Sequence, residues 1–301
     1  MPTSVLRDAG LSALIEPDSL ETIASAADGL QFTEGPLWLG DGSLLFQDIK
    51  AEKTYKVALD GTLSTLRTNT GAANGQTFDA RGRVVFCEQN GRRVSRMNPD
   101  GSNVETVAEA WEGKHLNSPN DIIARADGLL YFTDPPYGVE EAQREIPFQG
   151  VFALDGLGEP RLILDDFEKP NGLALSPDES TLYVCDTGKY HVRAFEVEKS
   201  GTLVPNSGRV FCTLDPEGQG GPDGMKVDQG GRVYVAVAMG VWVFEPNGRL
   251  LGILAIDQRP SNLAWGGPDG KTLAITAVDH VYKVRFKVAG IAPPFLPKSA
   301  N

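Results

Sequence analysis

A fifteen-residue unit recurs six times along this chain, and every copy aligns without a gap. The copies are "EGPLWLGDGSLLFQD" from Glu34, "NGQTFDARGRVVFCE" from Asn74, "NDIIARADGLLYFTD" from Asn120, "NGLALSPDESTLYVC" from Asn171, "DGMKVDQGGRVYVAV" from Asp223 and "NLAWGGPDGKTLAIT" from Asn262. Each opens on a polar residue, runs through a short apolar stretch to a turn pair such as Asp41-Gly42 or Asp127-Gly128, and ends in a longer apolar stretch. A short strand, a turn and a longer strand make a hairpin. More polar strand pairs follow, such as "KTYKVAL" with "TLSTLRT" and "GVWVFEP" with "RLLGILA". Four-strand units recurring every 39 to 52 residues predict an all-β, six-bladed β-propeller. A sandwich does not explain six gapless repeats. The 34 glycines and 20 prolines suit so many turns.

The repeats fill the chain, so residues 1–301 are read as one domain without a linker. The sixth hairpin is followed by one more strand, "HVYKVRFKV", and then by a tail, residues 289–301, too Pro-rich to add another. The missing strand is expected from the other end of the chain. "SLETIAS", residues 19–25, resembles "NVETVAE" and would close the last blade, leaving no exposed edge there.

The first positions of the six units are Glu34, Asn74, Asn120, Asn171, Asp223 and Asn262, and each carries a side-chain oxygen. Innermost strands line a propeller's central tunnel, so equivalent positions form a ring about its axis. A ring of oxygen donors with two carboxylates suits a hard divalent cation. With no Cys or His in the ring, calcium is the leading expectation, magnesium and manganese stay open, and zinc is weaker. Asn or Asp before Gly is also ordinary turn chemistry. Glu34, a poor turn former, and Asn120, which follows Pro119, do not fit that account. Glu34, Asn120, Asn171 and Asp223 are therefore the expected metal ligands. Asn74 and Asn262 are given supporting roles, because six equivalents span more than one ion can reach. The second strand of each hairpin returns to the same face, so its terminal acids, Asp48, Glu88, Asp134 and Asp186, are candidates to rim the site and bond substrate hydroxyls.

The net charge of −12 argues against nucleic acid and anionic membrane as partners, since both are polyanions. Cys87, Cys185 and Cys212 are widely spaced, lie in no CxxC, and read as buried reduced thiols. No apolar run reaches the length of a bilayer crossing, and the first residues lack a clear signal core. The cytoplasm is the expected location, with the periplasm open if a signal was removed.

The stretches "EGPLW", "LNSPNDI", "YFTDPPYG", "KPNGLALSPDESTLYV", "GGPDGMKVD" and "GGPDGKTL" resemble the SMP-30/gluconolactonase/luciferin-regenerating-like family, most closely its bacterial gluconolactonases. The likeness runs from about Glu34 to Phe286. It implies a six-bladed propeller that holds a divalent cation, commonly calcium, and hydrolyses a small-molecule lactone. It implies Glu34, Asn171 and Asp223 as ligands and Asn120 as ligand or substrate contact. It also implies Asp223 as the catalytic general base or water-orienting group. Two positions depart from the family. Ser118 stands where the senescence-marker branch carries a sugar-binding Arg, and His115 stands where Lys or Arg is expected. His115, just ahead of Asn120, becomes a further candidate for substrate contact, as does His280. The chain has no GxSxG nucleophile motif. The expected reaction is therefore metal-dependent attack of water on an aldonolactone. Phosphotriester or non-sugar lactone hydrolysis on the same frame, and a non-enzymatic binding propeller, are the alternatives.

Overall fold

The computed structural model describes residues 3–156, 158–214 and 220–297. It is a six-bladed β-propeller of antiparallel four-stranded sheets. From the axis outward, blade 1 consists of Thr33–Trp38, Leu44–Asp48, Lys53–Val57 and Leu63–Thr68. Blade 2 consists of Ala73–Phe78, Val84–Glu88, Arg93–Met97 and Glu105–Ala108. Blade 3 consists of Ile122–Ala124, Leu129–Asp134, Gln149–Asp155 and Arg161–Phe167. Blade 4 consists of Pro170–Leu175, Thr181–Asp186, His191–Glu196 and Arg209–Thr213. Blade 5 consists of Met225–Val227, Val233–Val237, Gly240–Phe244 and Leu250–Ala255. Blade 6 consists of Pro260–Gly266, Thr272–Ala277, His280–Arg285 and, from the start of the chain, Glu21–Ala24, with Thr22 opposite Tyr282.

Apolar side chains fill the spaces between blades. Trp265, Tyr234 and Phe286 meet edge to face between blades 5 and 6, for example, with ring centroids 5.0–5.4 Å apart. Cys87, Cys185 and Cys212 are free thiols buried in these layers. No helix among the described residues is long and apolar enough to cross a membrane.

Two features were not anticipated. Val5–Leu6 adds a fifth strand to blade 5, with Val5 opposite Leu254 and Leu6 opposite Ile253. Such a short pair has no periodicity to betray it. The tail carries no strand among residues 289–297, yet it is docked. Gly290 bridges Asp228, and the Ile291 amide donates to the Val227 carbonyl at 3.0 Å. Residues 291–294 lie over a mostly apolar cavity of about 130 Å³ to which all six inner strands contribute.

At the axis the inner strands touch backbone to backbone. Four ring residues are followed by glycine, and the reason is proximity to the next blade. A Cβ on Gly35 would lie 2.1 Å from the Asn74 carbonyl oxygen, and one on Gly172 would lie 2.3 Å from that of Asp223. The contacts are hydrogen-bonded. Gly75 N donates to Asn120 O at 2.9 Å, Gly172 N to Asp223 O at 3.1 Å, and Gly224 N to Ser261 O at 2.7 Å. The glycines after Asn74, Asn171 and Asp223 therefore serve close approach, not the turn that such pairs also suit. Gly172→Ala must push a blade outward, and overpacking of this kind costs about 1–3 kcal/mol. Thermal unfolding should show a clear drop in Tm for this variant; an unchanged Tm would mean that the inner strands have slack.

Candidate metal centre and active site

The first five ring residues, Glu34, Asn74, Asn120, Asn171 and Asp223, line one pocket of about 330 Å³. The sixth, Asn262, stands behind Glu34 and donates to its Oε2 at 3.1 Å, while Gly35 N donates to the same oxygen at 2.9 Å. The ring residues sit where the inner strands leave the regular ladder. Pairing shifts register between Glu34 and Leu37 and between Pro170 and Leu173. Asn120 and Asp223 precede their strands and are held by amide bonds to Thr133 O at 2.9 Å and Ala236 O at 2.8 Å. Asn171 turns its Nδ2 toward Thr187 Oγ1 at 3.2 Å and Tyr137 Oη at 3.4 Å. Thr187 in turn donates to Pro222 O at 2.7 Å, tying Asn171 to the approach to Asp223.

The two ring carboxylates repel each other in a poorly solvated place. Burial pushes Asp223 from the ordinary 3.8 up to about 7, against the pull of the Arg259 guanidinium and the Asn171 amide. Arg259 Nη2 lies 3.6 Å from Asp223 Oδ2. Glu34 is raised well above the usual carboxylate range, first by burial and then by the charge of Asp223. A third buried carboxylate, Asp121, follows Asn120 and adds to the repulsion. Burial raises it too, and Lys226 offsets part of that rise.

The acids expected on the rim are elsewhere. Asp48, Asp134 and Asp186 are wholly buried, and none of them lines the pocket. Each carboxylate accepts from the amides three and two residues ahead of its own blade's ring residue. Asp48 takes Gln31 and Phe32 at 2.8 and 3.1 Å. Asp134 takes Asn117 and Ser118, both at 2.7 Å. Asp186 takes Glu168 and Lys169, both at 3.0 Å. Glu88 instead pairs with Arg93 at 2.9 Å. The assignment of Asp134 and Asp186 to substrate is thereby corrected: they clamp the loops that present Asn120 and Asn171. His115 is corrected as well. It lies exposed on a side hairpin, Ala110–Trp111 with Lys114–His115, away from the pocket walls. His280 pairs with Asp279 at 2.6 Å and stacks on Tyr282, also off the pocket.

The residues just past these acids that do face the pocket are Ile49, Lys50, Gln89, Tyr137 and Thr187. Each follows its acid by one to three positions, so extending the repeat slightly would have found them. Arg259 comes from the loop before blade 6, which no repeat signal marked. Asn74, given a supporting role from the sequence, lies on the pocket wall, and its buried Oδ1 has no hydrogen-bond partner.

The profile of the SMP-30/gluconolactonase/LRE-like region matches residues 32–279. The chain belongs to the SMP-30/gluconolactonase/LRE-like family. A gluconolactonase of Zymomonas mobilis is 32% identical over 93% of this chain and 85% of its own length. A solved gluconolactonase structure from Xanthomonas campestris superposes with a TM-score of 0.85 at 32% identity, covering 95% of each chain. Regucalcin from Agrobacterium tumefaciens, a calcium-binding protein, shares the fold with a TM-score of 0.76 at 16% identity, covering 89% of this chain and 94% of that one.

The pocket residues fit the divalent cation expected in this family. Five oxygen-bearing side chains converge there, two of them poorly solvated carboxylates with acceptor capacity to spare, and Asn74 Oδ1 is an orphaned acceptor. Among the described residues no cluster of three or more His, Cys, Asp or Glu forms at all; the ring instead brings together two carboxylates and three amide side chains. Oxygen donors without imidazole or thiolate suit calcium over zinc.

Two outcomes follow from this electrostatics. A folded acid with a raised pKa keeps a proton that the unfolded chain has released. The metal-free protein therefore loses stability from Asp223 as pH rises from about 4 to about 7. A cation competes with the same proton, so its binding strengthens over that window. Calcium should raise Tm more at pH 7.5 than at pH 5.5 relative to chelator; equal shifts at both would show that the site is already ionised. Separately, Asp186→Ala strands the Glu168 and Lys169 amides and should cost about 3 kcal/mol of stability. Denaturant unfolding checks this, and an unchanged midpoint would restore Asp186 as a free rim acid.

Proposed function

We propose that the protein is a metal-dependent lactonase that opens a five- or six-carbon aldonolactone to its hydroxy acid. The observation that carries this reading is the oxygen ring with its paired carboxylates, at the base of a pocket walled by hydroxyl and amide groups, in a member of this family. The walls also favour a sugar over an apolar ester or phosphotriester. Gln89, Tyr137, Thr187 and Asn74 offer hydrogen bonds, against Phe32 and Ile49. The gluconolactonases named above and a pentonolactonase of Haloferax volcanii, 26% identical over 81% of this chain and 80% of its own length, support the substrate class.

Glu34, Asn120, Asn171 and Asp223, with Asn74, would hold the cation. When bound, the cation acts as a Lewis acid on the carbonyl and acidifies nearby water. Asp223 takes the proton from the attacking water, or holds that water in line with the carbonyl carbon. The acyl carbon–oxygen bond then breaks, and the ring oxygen leaves as the new hydroxyl after gaining a proton. Glu34, fixed by Gly35 and Asn262, has a holding role. Arg259, beside Asp223, offsets part of the rise that burial imposes on that carboxylate.

Asp223→Asn keeps the shape and one oxygen but removes the base. At saturating metal it should lower kcat by roughly 10²–10⁴-fold. Glu34→Gln should be largely rescued by excess cation, because its loss is one of affinity. Rates on gluconolactone, corrected for spontaneous hydrolysis, decide between these roles. Restoration of Asp223→Asn by excess metal would reduce Asp223 to a ligand.

A further inference from the structure

The pocket walls are electrically lopsided. Blades 2, 3 and 4 contribute the neutral groups Gln89, Tyr137 and Thr187. The neighbouring blades 6 and 1 contribute two cations, Arg259 from the loop before the inner strand of blade 6 and Lys50 from the loop after the second strand of blade 1. In a chain of net charge −12, these cations match Glu34 and Asp223 one for one on the pocket wall. Binding a divalent cation at the ring breaks that balance. A cation held at the ring would draw on the Asp223 carboxylate, which faces Arg259 at 3.6 Å. Arg259, a pocket-lining residue whose side chain is 39% exposed, would then stand beside a like charge. Among the described residues Lys50 joins no salt bridge, and its ammonium lies over the Phe32 ring at 5.5 Å. A neutral sugar lactone compensates neither cation.

We propose that the substrate is a sugar lactone bearing a second, anionic group, a carboxylate or a phosphate, and that Arg259 and Lys50 receive that group. The inference rests on the lactonase reading and narrows it. Arg259 offers a planar fork suited to both oxyanions, and Lys50 offers a mobile point charge. The hydroxyls of the sugar then fall to the neutral side of the pocket. The reaction is unchanged: water adds to the lactone carbonyl, the acyl–oxygen bond breaks, and the second anion remains intact. Cation and anionic substrate bind cooperatively, because each removes the charge imbalance left by the other.

The experiment compares D-glucono-1,5-lactone with 6-phospho-D-glucono-1,5-lactone and D-glucaro-1,4-lactone on the metal-loaded protein, after subtraction of the spontaneous rate. At least one charged lactone should be preferred in kcat/KM by roughly tenfold, the worth of one charge-assisted hydrogen bond. The advantage should shrink as salt is raised. Preference for the phosphorylated lactone alone assigns a phosphate, and preference for the aldarolactone alone assigns a carboxylate. Arg259→Gln and Lys50→Gln, checked for folding by thermal melts, should collapse the charged-to-neutral ratio toward one. Calorimetry supplies a readout without turnover. With one equivalent of divalent ion, 6-phosphogluconate should bind more tightly than gluconate, and the gap should close in Arg259→Gln. Hydrolysis of the neutral lactone as efficiently as both charged ones overturns this inference and leaves the lactonase reading intact. Hydrolysis of no lactone overturns both.

Discussion

The close approach of six inner strands at the propeller axis is the constraint on which the rest of the structure depends. Glycine at positions 35, 75, 172 and 224 lets each strand lie against the next blade, where a Cβ would sit about 2.1–2.3 Å from a neighbouring atom. Side chains of the residues just before these glycines can then converge on one small pocket. Blades 3 and 6 lack the glycine, and their neighbours compensate. Gly75 leaves room for Asp121, and Gly224 leaves room for Asn262. The site is thus a product of backbone spacing first and of side-chain chemistry second.

The ring was legible in the sequence because it occupies one fixed offset in a repeat that needs no gaps. The blade count was legible for the same reason. The rim was not, because the acids at the end of the second strand look the same whether they face solvent or backbone. Asp48, Asp134 and Asp186 face backbone, and the pocket takes the residues just after them. Arg259 and Val5–Leu6 lie outside the repeat, so no pattern could point to either. Asn74, set apart by a geometric argument about ring width, lies on the pocket wall. That argument assumed an even ring, whereas five of the six positions share one pocket.

Buried carboxylates at the start and at the end of the blade hairpins do opposite work, and their donors decide which. A carboxylate has about four acceptor sites. Asp186 fills its sites with four backbone amides, from Glu168, Lys169, Gly188 and Lys189, at 3.0–3.3 Å. Asp48 takes three, from Gln31, Phe32 and Ala51. Such groups spend most of their acceptor capacity on backbone amides and hold loops. Glu34 takes one amide and one side-chain donor, both on Oε2. Asp223 has Arg259 at 3.6 Å on Oδ2. These groups keep acceptor capacity to spare and carry it into the pocket.

The two sets are mechanically joined. Each clamp aspartate grips amides three and two residues ahead of a ring residue, so the buried clamp fixes where the open donor points. The reach must be short. In blade 2 the clamp position holds Glu88, whose extra methylene takes it past that geometry to Arg93. Blade 2 is also where the ring residue, Asn74, keeps its Oδ1 without a partner. Blades 5 and 6 end their second strands on Val237 and Ala277 and have no clamp acid at all. Asp223 and Asn262 are positioned there by main-chain bonds and by Thr276 instead. The carboxylate clamps are therefore concentrated on the loops of blades 1, 3 and 4, which present Glu34, Asn120 and Asn171. Asp223, the proposed base, sits on the side of the ring held by backbone bonds and by the part-exposed Arg259. An asymmetric hold of this kind suits a site in which three groups must keep an ion in place while the fourth adjusts to a reacting water.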